Sequence, residues 1–188
     1  MKQVTIFLLF LLLSSCSSLR KKADNSDHII LTETNLTLLD GRYERKSVQL
    51  NKDSAHGDLY WNLFANTYSF GNEKGLNLKG DTNFVQLKVI NEKRILVSHI
   101  NGNEILTSKI MKGKIKDGYF EFRRIYLFIP MVFVNVYRDS KFRVGLLEDN
   151  NLTADFKQIS FGTSFVIFPF HEKIEQENKI FKRIKNGL

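Results

Sequence analysis

The sequence predicts an all-β fold, an antiparallel meander that forms a barrel or half-barrel. From Asp81 onward turn signals recur about every 9–15 residues, which is close to the spacing of consecutive hairpins. The dipeptides Asn101-Gly102 and Asp117-Gly118 are the strongest signals, because tight hairpin turns need positive φ at their central positions. The predicted turns are Asn91-Glu92, Asn101-Gly102, Asp117-Gly118, Ile129-Pro130, Asp139-Ser140, Asp149-Asn150 and Gly162.

Between these turns, apolar and polar side chains alternate with the period of a strand. Phe142, Val144 and Leu146 form one such series, which predicts a strand with one buried face. By the same alternation Asp155 and Lys157 are predicted to face solvent. Seven or eight such strands would leave free edges that invite aggregation, and closure into a barrel removes them. An open sandwich or half-barrel built from the same strands is the alternative.

The ends of the predicted domain carry other elements. Gly41–Glu44 is the predicted first strand, and residues 58–64 are predicted to form a short helix that closes one end. Residues 66–80 contain three glycines and are predicted to be a loop. Residues 172–186 are predicted to form an amphipathic helix. The prediction rests on the helical spacing of Ile174, Phe181, Ile184 and Leu188.

The N-terminus has the layout of a secretory signal peptide. Residues 4–13 form an apolar run that is too short to span a bilayer, since a spanning helix needs about 20 apolar residues. Lys2 precedes the run, and the small residues Ser14 and Ser15 follow it, as at a cleavage site. The next residue, Cys16, is the only cysteine in the sequence, so no disulfide within the chain is possible.

The sequence Leu13-Ser14-Ser15-Cys16 resembles the lipobox of bacterial lipoproteins. The resemblance implies removal of residues 1–15 and attachment of lipid to Cys16, which becomes the membrane anchor. Two or three acyl chains hold a protein stably on a membrane, whereas one chain holds it weakly. Ser17 stands where an Asp would imply retention in the inner membrane, which favours the outer membrane. The alternative is an ordinary signal peptide with a chance cysteine.

Residues 16–35 are predicted to be the lipidated N-terminus and a polar tether, and residues 36–188 a single domain. In the tether Arg20, Lys21 and Lys22 could contact anionic headgroups. The domain resembles the lipocalin-like barrels, because Gly41-Arg42-Tyr43 is a glycine-x-aromatic sequence at the first strand, followed by a meander and a helical pattern. Lipocalins usually have Trp in place of Tyr43. The resemblance implies an interior that could hold a small lipophilic ligand.

Composition and motifs exclude several functions. The formal charge of +8 is compatible with nucleic acid, with anionic lipid, or with solubility alone, but no nucleic-acid recognition motif is present. No nucleophile elbow, zinc-protease pair or phosphate loop occurs. The sequence therefore predicts no enzyme, no metal site and no cofactor. The four histidines are scattered, and His99 is predicted to be a half-exposed packing residue in a strand; the four are His28, His56, His99 and His171.

The aromatic content of 12% leaves two functions open. An eight-stranded barrel is either filled by side chains or holds one small ligand. In the first hypothesis the domain binds a small lipophilic ligand, with Arg143, Arg123 or Arg124 at an anionic headgroup. In the second it is a structural or partner-binding envelope protein without a ligand, and the sequence identifies no protein partner. An integral membrane barrel is disfavoured because Lys88 and Lys157, among other cations, interrupt the strands.

Overall fold

The computed structural model describes residues 27–48, 58–59, 63, 83–128, 134–164 and 168–184. These residues form β-strands and one short 3-10 helix, η1, so the predicted all-β class is confirmed. The elements are β1 (His28–Ile29), η1 (Leu36–Leu39), β2 (Gly41–Glu44), β3 (Asn83–Asn91), β4 (Arg94–Asn101), β5 (Glu104–Lys112), β6 (Lys114–Lys116), β7 (Tyr119–Phe128), β8 (Val134–Leu147), β9 (Leu152–Ser164), β10 (Phe168–Phe181) and β11 (Arg183–Ile184).

The strands make two antiparallel sheets. Sheet A has the order β10-β9-β8-β7-β6, and β1 also pairs with β8. Sheet B has the order β11-β2-β3-β4-β5. Apart from the β11–β2 and β1–β8 pairs, every hydrogen-bonded pair joins two consecutive strands. Short connections explain the pairs from β3 onward, whereas residues 45–82 separate β2 from β3. The meander inferred from turn spacing is therefore present in both sheets.

Among the described elements the chain passes from one sheet to the other three times, once between β1 and β2 and twice at a single residue. Gly113 separates β5 in sheet B from β6 in sheet A, and Lys182 separates β10 in sheet A from β11 in sheet B. A Cβ at Gly113 would lie 2.6 Å from both the Glu121 carbonyl oxygen and the Phe120 ring, so the bend there accepts only glycine. At the other crossing the Glu44 N–H donates to the Lys182 carbonyl at 2.8 Å.

One hydrophobic core joins the two sheets. Alternate residues of neighbouring strands point to it, and we call this side of each sheet the inner face. Leu31, Leu36 and Leu39 add side chains from β1, η1 and the residues beside them. The inner-face members from the strands are Tyr43, Val85, Leu87, Ile95, Val97, Met111, Phe120, Phe122, Phe142, Val144, Leu146, Leu152, Ala154, Phe156 and Phe181.

Four predicted turns are confirmed, at Asn91-Glu92, Asn101-Gly102, Asp117-Gly118 and Asp149-Asn150. Asp117 and Gly118 both have positive φ, 51° and 80°, as their dipeptide predicts. The predicted turn at Ile129-Pro130 lies outside the described residues.

The turns predicted at Asp139-Ser140 and Gly162 are wrong, because these residues lie inside β8 and β9. Asp139 accepts two hydrogen bonds from Arg123 on the neighbouring strand, at 3.1 and 2.9 Å. A Cβ at Gly162 would lie 1.9 Å from the Asn135 carbonyl oxygen, so glycine is required there by close strand packing and not by a turn. Turn-forming residues here serve contacts between strands.

The helix predicted over 172–186 is also wrong, because β10 and β11 occupy its described part, 172–184. A β-bulge explains the error. The register with β9 shifts between Gln176 and Lys179, and Asn178 has a φ of 56°. The extra residue puts Ile174 and Phe181 on one face although they are seven positions apart, a spacing that otherwise indicates a helix.

The short helix predicted over 58–64 is not seen among the described residues, which include only Asp58, Leu59 and Leu63 of this segment. Leu59 and Leu63 are buried in the core, and Asp58 forms an isolated β-bridge with Lys46. The described residues of this part of the chain therefore lie against the core, as expected, and the rest of the predicted helix lies outside the described residues. The predicted loop at 66–80 lies outside the described residues.

The described end of the predicted tether packs on the domain. His28 and Ile29 pair with Leu147 and Leu146 of β8. The N–H of Leu31 donates to the Gly118 carbonyl at 3.0 Å, and the Leu31 side chain is 1% exposed. The described part of the N-terminal segment is therefore in contact with sheet A from His28 onward. Cys16 and the predicted signal peptide, residues 1–15, lie outside the described residues.

Candidate functional site

One end of the inner face in sheet A is polar. Arg124, Ser140 and Gln158 are directly opposite one another on β7, β8 and β9. Cross-strand partners share a face, and so do alternate residues of one strand. Phe122 and Phe142, two positions away from Arg124 and Ser140, belong to the core. The guanidinium of Arg124 therefore lies on the inner face, one row beyond a layer of aromatic rings.

The next row holds a second arginine. Arg138 pairs in register with Ser160 of β9, and its Nε donates to the Ser160 hydroxyl at 3.1 Å. Nε2 of Gln158 donates to the same hydroxyl at 3.2 Å. Both Gln158 and Ser160 are buried. The Ser160 hydroxyl therefore accepts hydrogen bonds from two donors, one of which is an arginine.

Arg124 has an unsatisfied donor. Its Nη2 donates to the Leu63 carbonyl and lies 2.9 Å from Met111 Sδ. Its Nη1 is buried and has no hydrogen-bond partner in the part of the chain that the structure describes. Burial lowers the pKa of Arg124, but a guanidinium keeps its proton in proteins. A buried charged donor without an acceptor costs about 1–3 kcal/mol or more. The geometry therefore suits an additional acceptor, best an anion.

Lys109 extends this positive region towards solvent. It pairs with Val97 of the core, so it belongs to the inner face of sheet B, and it is exposed. Burial of part of its side chain lowers its pKa, and the positive charge of Arg124 adds to the effect. We call Lys109, Arg124 and Arg138 the inner cationic cluster. The carboxylate in the same rows is Glu172, opposite Ser160, and it is exposed.

A second polar group lies on the inner face of sheet B. His99 pairs with Val85 of the core and is fully buried, so the expected packing role is right and the expected half-exposure is wrong. Burial, followed by the charge of Arg45, lowers the pKa of His99 to about 4. Arg45 itself forms an ion pair with Asp58, with Nε 2.5 Å from Oδ2. His99 is therefore neutral at pH 7.

Arg143, predicted to meet an anionic headgroup, lies instead on the outer face of sheet A. Its Nε is 2.5 Å from Asp155 Oδ2, and the two side chains are 5% and 2% exposed. Its guanidinium also stacks 4.3 Å from the centre of the Tyr119 ring. The prediction that Asp155 faces solvent is wrong, because the outer face is covered at this point. Arg143 is thus occupied by a buried carboxylate.

Arg123 is likewise on the outer face, where it binds Asp139 through two hydrogen bonds. Of the three arginines singled out in the sequence, only Arg124 lies on the inner face, where its Nη1 has no hydrogen-bond partner among the described residues. The alternation of β7 separates Arg123 from Arg124, because adjacent residues of a strand point to opposite faces. Which face is inner depends on the neighbouring strands, and the sequence carries no signal for the unsatisfied Nη1.

The N-terminal segment packs on Tyr119, beside the Arg143–Asp155 ion pair on the outer face of sheet A. The His28 ring stacks on Tyr119 with ring centres 4.2 Å apart. A Cβ at Gly145 would lie 2.2 Å from His28 Nε2, so glycine at this position gives the ring its space. Burial lowers the pKa of His28, and the charge of Arg143 adds to the decrease. These contacts hold β1 against sheet A.

No other site is evident. The described residues contain no group of three or more His, Cys, Asp or Glu side chains placed to hold a metal ion. No helix in that part of the chain combines the length and apolarity needed to cross a bilayer. Comparison with known protein families, curated proteins and solved structures gives no match for this chain. The inner cationic cluster is therefore the candidate site.

Proposed function

We propose that the protein is a lipid-anchored protein of a bacterial cell envelope, held on the outer membrane through Cys16, and that its lipocalin-like domain binds a small amphiphile with an anionic group. The observation that carries the ligand proposal is the buried Nη1 of Arg124 on the inner face, which has no hydrogen-bond partner in the described part of the chain. The anchor proposal rests on Leu13-Ser14-Ser15-Cys16 at the end of an apolar segment. No catalytic role is proposed.

The lipocalin-like part of the proposal joins the two sheets into one barrel. Its support is the pair of strands that pass between the sheets with one intervening residue, at Gly113 and at Lys182. Ile180 pairs with Thr153 of β9 on one side, and its carbonyl accepts the Val48 N–H on the other. If β5 and β6 are counted as one strand, and β10 and β11 as another, the strands from β2 onward have the order of an eight-stranded meander. The interior of an eight-stranded barrel is large enough for one small ligand.

The rows of the inner face suggest how an amphiphile would lie. Beyond the core comes the row of Arg124, followed by the row of Arg138. The row after these pairs Val136 with Gly162 and Gly162 with Phe170, which are apolar. An anionic group would reach Arg124, since charge-assisted hydrogen bonds are about twice as strong as neutral ones. The hydrocarbon part would extend past Gly162 towards solvent.

Titration of the purified full-length protein tests the ligand proposal. We expect an unbranched fatty acid to bind at least about tenfold more tightly than the fatty alcohol of equal length, because a hydrogen bond to a charged group contributes about 1.5–3 kcal/mol. Arg124→Gln should abolish this preference. Arg94→Gln is the matched control, because Arg94 is exposed on β4 and the substitution removes the same charge.

Equal affinity of the wild-type protein for the acid and the alcohol would contradict the proposal. So would an acid preference that survives in Arg124→Gln. Mass spectrometry of lipids that co-purify with the protein gives an independent result, and we expect an anionic amphiphile at about one per chain.

Metabolic labelling with a tagged fatty acid tests the anchor. We expect label on the wild-type protein and none on Cys16→Ser, which should also keep its N-terminal segment and migrate as a larger species. A wild-type protein without label, or a variant with unchanged size and membrane association, would refute lipidation at Cys16.

A second function, a structural or partner-binding envelope protein, is favoured by how full the core is. Phe120, Phe122, Phe142 and Phe156 fill the middle of the space between the sheets, and all four are buried. Native proteins pack such layers without voids, so a ligand has room only beyond the aromatic rows. A purified protein that carries no amphiphile and binds neither the fatty acid nor the alcohol would support this function over ligand binding.

A further inference from the structure

A line of exposed cations runs along the outer face of sheet B and continues onto β6, the edge strand of sheet A. Arg94 and Lys112 are directly opposite each other on β4 and β5. Like charges in this position destabilise a sheet. No ion pair within the described residues involves either side chain. The line consists of Lys88, Arg94 and Lys112 on sheet B and of Lys114 and Lys116 on β6 of sheet A, and we call it the outer basic face.

Exposed apolar residues accompany these cations. Ile110 of β5 is 51% exposed, and it pairs with Leu96, which pairs with Lys88. Ile90 is 49% exposed and lies two residues from Lys88. The carboxylate opposite the line is Glu121, across from Lys114. Cations around exposed isoleucines favour an anionic surface with an apolar layer beneath it, which is the character of a bilayer interface.

The position of the N-terminal segment brings this face within reach of the membrane. Lys116 lies two residues before Gly118, whose carbonyl accepts the Leu31 N–H. Residues 17–26 separate Cys16 from Asp27, and this chain spans at most about 40 Å when fully extended. It also contains Arg20, Lys21 and Lys22. A lipid on Cys16 would therefore hold the outer basic face close to headgroups.

We infer that the outer basic face binds anionic phospholipid headgroups and lays sheet B against the membrane to which the protein is anchored. The inference rests on the proposed anchor only for proximity, because the charge and apolar character of the face belong to the folded domain. The cations supply the attraction, and Ile90 and Ile110 enter the interface. The end of the inner face that holds Arg138 stays independent of this contact.

Lysine reactivity of the full-length protein on vesicles tests the inference. The protein, isolated from membranes with its native modification, is mixed with vesicles of zwitterionic lipid or of the same lipid with added anionic phosphatidylglycerol. Vesicles are floated, and lysine acetylation is measured by mass spectrometry. On anionic vesicles we expect Lys112 and Lys114 to react about fivefold more slowly. This factor corresponds to the free energy by which an anionic lipid surface attracts one nearby cation. Exposed Lys173 of β10 should be unchanged.

Two double variants separate the outer basic face from overall charge. Arg94→Gln with Lys112→Gln should restore the reactivity of Lys114 on anionic vesicles. Lys173→Gln with Lys182→Gln removes the same charge from exposed sites elsewhere and should leave Lys114 protected. Protection should also disappear at about 1 M salt, where charges are screened beyond about 3 Å.

Vesicle flotation reports on the anchor, and lysine reactivity reports on the outer basic face. Flotation with both vesicle types but equal lysine reactivity overturns the inference and leaves the anchor intact. Flotation with anionic vesicles alone, together with the lysine protection, supports the outer basic face and refutes the anchor. No flotation with either type overturns both. Protection in native outer-membrane fragments but not on pure lipid vesicles would assign the face to a protein partner and overturn the membrane contact.

Discussion

At the scale of single residues, this protein buries several charged side chains and compensates them unequally. Arg143 and Asp155 form a nearly inaccessible ion pair, and the second oxygen of Asp155 accepts the Asn178 N–H at 2.6 Å. Arg124 keeps one donor that has no acceptor among the residues the structure describes. Breaking a well-compensated buried pair destabilises a protein by about 3–5 kcal/mol. The incomplete compensation of Arg124 is what distinguishes a candidate binding group from a structural one.

Buried His99 should make stability depend on pH. Its pKa is about 4 in the folded protein, below the ordinary value of 6.5, because of burial and then the charge of Arg45. Between those two values the unfolded chain binds a proton that the folded protein does not, so the free energy of unfolding decreases as pH falls. We expect a decrease of about 2 kcal/mol from pH 7 to pH 5. Urea unfolding at both pH values measures it.

His99→Gln is the comparison, because glutamine does not titrate in this range. We expect the variant to lose about 2 kcal/mol less than the wild-type protein over the same pH interval. An equal pH dependence in both proteins would show that His99 is not the titrating group.

At the scale of elements, β10 shows how an irregular strand can imitate a helix. The bulge at Glu177 and Asn178 adds one residue to β10, so that the odd-numbered Phe181 lies on the inner face although the even-numbered Ile174 does so before the bulge. Asp155 accepts the Asn178 N–H and holds the bulge in place. Strand register matters because a shift of one residue exchanges the two faces. The bulge therefore decides whether β10 can close onto the core at Phe181.

Substitutions at Asn178 test the bulge. Its φ of 56° is tolerated by Gly and by Asn but not by a β-branched residue. We expect Asn178→Val to lower the free energy of unfolding by about 1–3 kcal/mol and Asn178→Gly to change it by less than about 1 kcal/mol. Thermal unfolding followed by circular dichroism compares the two. Equal effects of Val and Gly would argue against a positive φ at this position.

At the scale of the whole molecule, the N-terminal segment determines where an anchor would leave the domain. It pairs with β8 and is bonded to the β6–β7 turn, beside the outer basic face. If the protein is anchored as proposed, the direction of the domain relative to the membrane would depend on a few contacts that precede the first long strand. Loss of those contacts would turn an oriented domain into one on a longer tether.

Adjacent residues Ile30 and Leu31 test this attachment. Leu31 is 1% exposed, so Leu31→Ala should lower the free energy of unfolding by about 2–5 kcal/mol. Ile30 is 67% exposed, so Ile30→Ala should change it by no more than about 0.5 kcal/mol. Chemical denaturation of the full-length protein measures both. Similar small effects would mean that the segment is a free tether.

The sequence by itself determined the all-β class, the meander and four of its turns, because apolar alternation and hairpin dipeptides act between residues close in the chain. It also supplies the prediction of a lipidated Cys16, which the described residues do not test. Only the tertiary structure decided that Asp155 is buried, that 172–184 is strand and that Arg124 points inward with an unpaired donor. Each of these depends on which distant strands cover a face, and a local pattern does not contain that information.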